Sequence, residues 1–232
     1  MKNHSGAIKA YIANTEHPAM PDNIGKVGFW SALCSAFFYL AFDIAAILNM
    51  SGMLTSQFWI SILYYTPSIF LALSFVVMTV VIHHYAPSES KMCSHIGVSL
   101  ACIYATINCF IYIIQVLIIA PSMLNGQFDS VALFEMAPGK PLIAANALAY
   151  TLMGLSTLFS AFAFKGGALE KTIRTVLLIH GIISPTIVGV LIWQPFFYIS
   201  AFVGIIYPLA AILIAVLFRA KRKISLSDYG RR

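Results

Sequence analysis

The chain has 232 residues, of which 60% are hydrophobic and only 9% are charged, and its mean hydropathy is +0.87. A water-soluble domain carries about 25% charged residues, because polar side chains must cover its surface. This composition excludes a soluble enzyme and indicates an integral membrane protein. The net charge of +6 comes mainly from basic residues beside the apolar segments, so it reports on membrane topology and does not indicate nucleic-acid binding.

Six apolar segments are long enough to cross a bilayer, since a hydrocarbon core about 30 Å thick needs roughly 20 helical residues. They are continuous, whereas the strands of a membrane barrel are about 10 residues long and alternate in polarity. The sequence therefore predicts an all-α fold, a polytopic membrane protein built as a six-helix transmembrane bundle. The predicted spans are 28–50, 58–82, 96–120, 142–164, 173–193 and 198–218.

The remaining chain is too short for a second domain. We predict a cytoplasmic N-terminal segment at 1–27, a transmembrane domain at 28–218 and a basic cytoplasmic tail at 219–232. The N-terminal segment is polar and has no cleavage pattern, so we expect no removable signal peptide. The only long connection, 121–141, contains an amphipathic piece around Phe128 and Phe134, which we expect to lie on the membrane surface, to cap the bundle or to act as a lid.

The distribution of Lys and Arg predicts the orientation. Thirteen of the fourteen basic residues fall on the side of the two termini, and only Lys140 falls on the other side. Because cytoplasmic loops retain the positive charge, both termini are predicted to be cytoplasmic, as an even number of spans also requires. The sequence thus predicts a multi-pass protein of the cell (inner) membrane.

Few ionisable groups lie within the predicted spans. Asp43 is their only acid and His180 their only histidine, and a charge at the bilayer centre costs about 2.5–3.5 kcal/mol on the insertion scale. At about 1.5 Å per residue, Asp43 lies roughly 20–23 Å above the cytoplasmic edge and His180 roughly 10 Å above it. We therefore do not expect these two side chains to pair directly.

The third span carries a polar stripe. Tyr104, Asn108, Tyr112 and Gln115 are spaced by 4, 4 and 3 residues, so they share one helix face, which is predicted to point into the bundle. Polar residues of other spans fall at a similar depth, in the outer half of the bilayer. The candidate ligand-binding residues of this polar layer are Asp43, Tyr65, Asn108, Tyr112, Tyr150 and Tyr207.

Two interpretations of the polar layer remain open. In one, its side chains only hydrogen-bond the helices to one another, at about 0.6 kcal/mol per contact. In the other, the layer is a pocket open to the outside, in which Asp43 binds a cation or proton and the tyrosines form the wall. Prolines 67, 185 and 208 lie inside predicted spans, and the kinks they cause fit either interpretation.

No motif for catalysis, metal binding or phosphate binding occurs in the sequence. The four cysteines form no C-x-x-C pair, and His83, His84 and His95 are expected to be solvated at the membrane interface. A general acid–base enzyme would need a second positioned titratable group near Asp43. We therefore predict no catalytic residue, no metal site and no cofactor, and an enzyme is the less favoured class.

Three short patterns lie in the second half of the chain. They are G-x-S-x-L-F at Gly154–Phe159, L-E-x-x-I-R at Leu169–Arg174 and L-L-x-x-G at Leu177–Gly181. In these patterns the second half resembles bacterial six-span membrane proteins of unknown function. The resemblance implies a membrane bundle, but neither an activity nor a site residue.

Three classes of function are compatible with these features. The first is a structural, partner-binding or sensing role in the lipid bilayer, with a membrane protein as partner. The second is a transporter-like carrier of a small solute, cation or proton that uses Asp43. The third is a membrane enzyme acting on a lipid or isoprenoid. The packing of the polar layer distinguishes them. A cavity open to water favours the carrier, a closely packed layer favours the structural role, and a slot open to lipid, with Asp43 facing a second acid, base or metal, favours the enzyme.

Overall fold

A computed structural model describes residues 21–54 and 56–229 of the chain. It contains six long helices, each apolar enough to cross a membrane, and no strand in those residues. This confirms an all-α, six-helix transmembrane bundle. Most of the predicted N-terminal segment and the end of the tail lie outside the described residues. The helices are α1 (Asp22–Met50), α2 (Gln57–Tyr85), α3 (Lys91–Ile114), α4 (Pro141–Ser160), α5 (Ala168–Ile183) and α6 (Phe196–Tyr229).

The six helices form a closed ring in chain order. Each helix packs against the next one along the chain, and α6 packs against α1. Since short connections join most neighbours, the helices alternate in direction. We call the end where α1 begins and α6 finishes the basic end, and the opposite end, which carries residues 121–141, the loop end. A ring of this kind encloses a central axis that side chains must fill.

The connections follow local backbone chemistry. Gly52, Gly126 and Gly139, all at the loop end, have φ values of 73°, 67° and 79°, a left-handed conformation that only glycine adopts at little cost. Pro141 opens α4, where the amide hydrogen that proline lacks would have no partner within the helix. The residue types at the loop-end turns therefore specify their backbone conformation.

Several helix ends differ from the predicted spans. α1 begins at Asp22 and α6 extends to Tyr229, because a hydropathy pattern marks only the part of a helix that lies in hydrocarbon. The fifth span was predicted to reach residue 193, but α5 ends at Ile183 and is followed by a short helix, Thr186–Gly189. Pro185 has no amide hydrogen for the helix ladder, so it ends α5 instead of kinking it.

At the loop end, α3 also departs from a regular α-helix. Beyond Ile114 the chain forms one π-helical turn, Gln115–Ile119, and then the short helix Ala120–Leu124. Pro121 cannot donate a hydrogen bond to the carbonyl of Leu117, so the turn before it widens. This irregular turn lies directly after the polar stripe.

Small residues bring α4 close to its two neighbours. The Ser156 hydroxyl donates to the carbonyl of Gly97 on α3 at 2.7 Å. On the other side, Gly154 faces Ser184, and a Cβ atom added to Gly154 would overlap that side chain. Such close contacts between small residues replace the hydrophobic driving force that helices lack within lipid.

We expect Gly154→Ala to destabilise the protein by about 1–3 kcal/mol, because the new methyl group has no space beside α5. Gly204→Ala is the matched control, since a Cβ there meets no atom closer than 3.6 Å. Thermal unfolding in detergent measures both variants. Equal melting temperatures for the two variants would contradict the described α4–α5 packing.

The orientation is tested by labelling single cysteines with a membrane-impermeant thiol reagent. If the basic end is cytoplasmic, Asn125→Cys is labelled from outside the cell and Ser225→Cys is labelled only after the membrane is opened. The expectation follows from the retention of basic residues on the cytoplasmic side. Labelling of Ser225→Cys from outside would reverse the topology.

Candidate functional site

The axis of the ring is filled by aromatic rings that carry polar tips. Tyr39 and Tyr207 lie with their ring centroids 4.8 Å apart, and Tyr104 and Tyr150 with theirs 5.8 Å apart. Aromatic pairs at these separations pack favourably. Five of the six helices supply one or two of these rings. We call this set the tyrosine core; its members are Tyr39, Tyr65, Tyr104, Tyr112, Tyr150 and Tyr207.

The polar stripe of α3 points into the bundle, as its spacing predicts. All four of its residues, Tyr104, Asn108, Tyr112 and Gln115, are buried. The opposite face of α3 is exposed, with 64% exposure at Phe110 and 67% at Leu117. Because those apolar side chains lie on the outside of the ring, they contact lipid.

One part of the tyrosine core is hydrogen-bonded across helices. The Tyr112 hydroxyl lies 3.0 Å from Asn146 Oδ1 and 3.2 Å from the Tyr150 hydroxyl, which joins α3 to α4. The Ser35 hydroxyl bonds to the Tyr207 hydroxyl, which joins α1 to α6. These contacts have the form expected of polar side chains that hold membrane helices together.

Gln115 attaches the long connection of the loop end, residues 121–141, to α3. Its Nε2 donates to the carbonyl of Phe134 at 2.6 Å, and its Oε1 accepts from the amide of Met136 at 3.4 Å. The connection contains two short 3-10 turns, Phe128–Ser130 and Ala132–Phe134. This segment therefore caps the loop end of α3, one of the placements expected for it.

A second part of the core has buried polar atoms without a well-formed hydrogen bond. Within the described residues these are the two side-chain heteroatoms of Asn108, the Tyr104 hydroxyl, the Ser160 hydroxyl and His180 Nε2. The Asn108 amide lies within reach of the Tyr104 and Tyr150 hydroxyls. All four side chains are at most 1% exposed. A buried polar group that is left without a partner costs about 1–3 kcal/mol, so these atoms are the costly part of the core.

The hydrogen bonds of His180 assign its tautomer. The Thr157 hydroxyl donates to the carbonyl of Gly154 at 2.7 Å, so its oxygen accepts from His180 Nδ1, also at 2.7 Å. Nδ1 therefore carries the hydrogen, and Nε2 of the neutral ring presents a lone pair. The ring packs against Tyr207 with centroids 5.4 Å apart. His180 is thus a fixed acceptor beside the tyrosine core.

Asp43 lies at the rim of the tyrosine core. Its carboxylate is half-buried on α1, opposite Gly204 of α6. It is close enough to Tyr39, Tyr64 and Tyr150 to interact with them electrostatically. In the described part of the chain, none of the ion pairs involves Asp43, and its side chain forms no hydrogen bond. The carboxylate is therefore available to a ligand.

The structure brings the candidate residues together in two groups. Tyr65 stacks on Tyr112 with centroids 5.3 Å apart, and Tyr112 bonds to Tyr150, so these three are contiguous. Tyr207 lies across the axis beside Tyr39, with Asp43 at the edge. Sequence reasoning did not include Tyr39, Tyr104 or His180 in the candidate site. Tyr39 was detectable, because it lies four residues before Asp43 on the same helix face.

Comparison with protein-family models, curated proteins and solved structures finds no match for this chain. The resemblance of its second half to six-span bacterial proteins stays a prediction. The arrangement of the buried side chains is therefore the basis on which a function can be proposed.

Two substitutions separate the bonded part of the core from the unpaired part. Tyr112→Phe removes a hydroxyl that links α3 to α4 and should lower stability by about 0.5–1.5 kcal/mol. Asn108→Leu replaces an amide without a well-formed hydrogen bond by an apolar side chain of similar volume, and should lower stability by less than Tyr112→Phe does. Thermal unfolding of both variants in solute-free detergent buffer provides the measurement. A larger loss for Asn108→Leu than for Tyr112→Phe would show that the amide is bonded within the bundle.

Proposed function

We propose that this integral membrane protein is a carrier-type protein that binds a small polar solute or cation inside the six-helix ring, with Asp43 at the entrance. The single observation that carries the proposal is the Asn108 amide, which is fully buried beside the Tyr104 and Tyr150 hydroxyls yet forms no well-aligned hydrogen bond in the described part of the chain. A polar group in that state is costly unless a ligand or water completes it.

The buried atoms without a well-formed hydrogen bond include both donors and acceptors. Asn108 has both a donor and an acceptor, the Tyr104 hydroxyl can serve as either, and His180 Nε2 accepts. The surrounding rings hold these groups in place, so little ordering is needed when a ligand binds. Such a set suits a small solute that both donates and accepts hydrogen bonds.

The position of Asp43 supports entry from the loop end. It lies seven residues before the end of α1 at Met50, which is about 10 Å along the helix. Its carboxylate attracts cations, and the tyrosine ring faces beside it attract them further. A solute entering from the loop end would therefore meet Asp43 before it reaches Asn108.

A structural, partner-binding or sensing role is the second candidate. It is supported by the hydroxyl bonds of Tyr112 and Tyr207, which join the helices without any ligand. The close packing of the rings in the tyrosine core also fits this role, but it assigns no purpose to the Asp43 carboxylate. A lipid-modifying enzyme has less support, because no acid or base among the described residues bonds to Asp43.

The test is the response of thermal stability to solutes. Wild-type protein in detergent is titrated with sodium, potassium and methylammonium chloride between pH 5 and pH 8. A ligand that binds only the folded state raises the melting temperature as its concentration rises. Protons compete with a cation for a carboxylate, so the response to a cation should weaken as the pH falls.

Asp43→Asn should remain folded, with a stability loss of at most about 1 kcal/mol, and should lose the cation response. Asp129→Asn, which alters an exposed acid of the loop-end connection, is the matched control and should retain it. Uptake of the same cations by proteoliposomes then separates transport from binding. Identical curves for wild type and Asp43→Asn, with no ion or pH response in either, would exclude the carrier function and leave the structural one.

A further inference from the structure

A buried carboxylate joins three helices at the basic end. Glu170, in the first turn of α5, is only 3% exposed. Its Oε1 accepts from the Tyr85 hydroxyl at the end of α2 at 2.6 Å and lies 3.3 Å from Lys221 Nζ on α6. Its Oε2 accepts from the Gly166 amide at 2.8 Å. We call these four residues, Tyr85, Gly166, Glu170 and Lys221, the Glu170 latch.

Three aromatic side chains pack beside the latch, and we call Tyr85, Phe164 and Phe218 the aromatic floor. Tyr85, Phe164 and Phe218 are fully buried, and the Tyr85 ring centroid lies 6.0 Å from that of Phe164 and 5.9 Å from that of Phe218. On α1, Gly28 packs so tightly against Phe218 that an added Cβ would lie 2.6 Å from its ring. Helices α1, α2, α5 and α6 thus meet without a gap at this level.

The ion pairs between different parts of the fold lie at the same end. Arg222 on α6 donates to Asp22 on α1 at 2.6 Å, and Lys165 pairs with Glu89 at 3.0 Å between two connections. At the loop end, by contrast, no ion pair joins the described residues. The two ends are therefore closed by different chemistry, and only the basic end is closed by charge.

We infer that the Glu170 latch is the gate that closes the solute site toward the basic end, an inference that rests on the proposed carrier function. A buried ion pair adds little net stability compared with apolar packing, so stability alone does not account for a charged pair buried at this position. A charge pair differs in that it can be released at once when one partner is neutralised. Release of Glu170 frees α2, α5 and α6 from one another and opens the floor.

The test measures access from the basic end without any solute. In a variant whose four native cysteines are replaced by alanine, Ser31→Cys serves as the reporter. Ser31 is buried one turn beyond Gly28, and its hydroxyl bonds only to its own helix, so the change breaks no contact between helices. A membrane-impermeant thiol reagent is applied to vesicles whose basic end faces the medium.

Glu170→Gln and Lys221→Met should each raise the labelling rate of Ser31→Cys by about tenfold or more, because labelling of a transiently opened state follows its population. The double variant should exceed neither single variant by much, since both remove the same ion pair. Glu89→Gln, which breaks the exposed pair with Lys165, is the matched control and should leave the rate unchanged.

A second reporter distinguishes opening of the gate from general loosening. Ser68→Cys lies buried in the core, where the native hydroxyl bonds to the carbonyl of Tyr64 on its own helix and lies beside the Tyr150 hydroxyl of α4. Its labelling from the loop end should stay constant or fall in the latch variants. An unchanged rate at Ser31→Cys, or an equal rise at both reporters, would overturn the gate.

If Glu170→Gln does not fold, Tyr85→Phe provides the same test, because it removes only one hydroxyl from the latch and keeps the ring of the floor. The two proposals fail separately. Absence of any solute response removes the carrier function, whereas an absence of increased labelling removes the gate and leaves solute binding untouched.

Discussion

The pairing of polar groups along the axis of the bundle is the constraint on which this structure depends. Six helices in a closed ring enclose an axis that is filled by tyrosine rings, and each ring ends in a hydroxyl that needs a hydrogen-bond partner inside the bundle. The hydroxyl of Tyr207 obtains its partner from Ser35 on α1, and that of Tyr112 obtains its partners from α4. These bonds fit the order of helices around the ring, in which α1 contacts α6 and α3 contacts α4.

The pairing is incomplete at a few buried atoms. Within the described residues, Tyr104, Asn108, Ser160 and His180 hold the side-chain atoms without a well-formed hydrogen bond. Leucine side chains at these positions would leave no polar atom to satisfy. The protein retains polar groups there despite their cost, and the proposed binding of a solute rests on this observation.

The two ends of the bundle carry different polar side chains. At the basic end, the Glu170 carboxylate is completed by a hydroxyl, an amide and an ammonium group, and the floor beside it is aromatic. At the loop end, Asp43 has no charged partner within the described residues, and Gln115 bonds only to the backbone of the loop-end connection. The carboxylate of Glu170 is paired with Lys221 at the basic end, whereas that of Asp43 has no charged partner among the described residues. The two ends of the axis therefore differ in their charge.

The sequence by itself determined the six spans, the all-α fold and the inward face of α3, because apolar length and helical spacing act within one segment. It did not determine that Pro185 would end α5, that Glu170 would be buried or that Asp43 would lie at the rim. Those outcomes depend on which helices become neighbours. Ser35 and Tyr207 are 172 residues apart in the chain, and no pattern within either helix specifies the other. The hydrogen-bond partners of a buried polar atom depend on which helices are its neighbours in the ring. Only the tertiary structure therefore decides which of these atoms lack a partner.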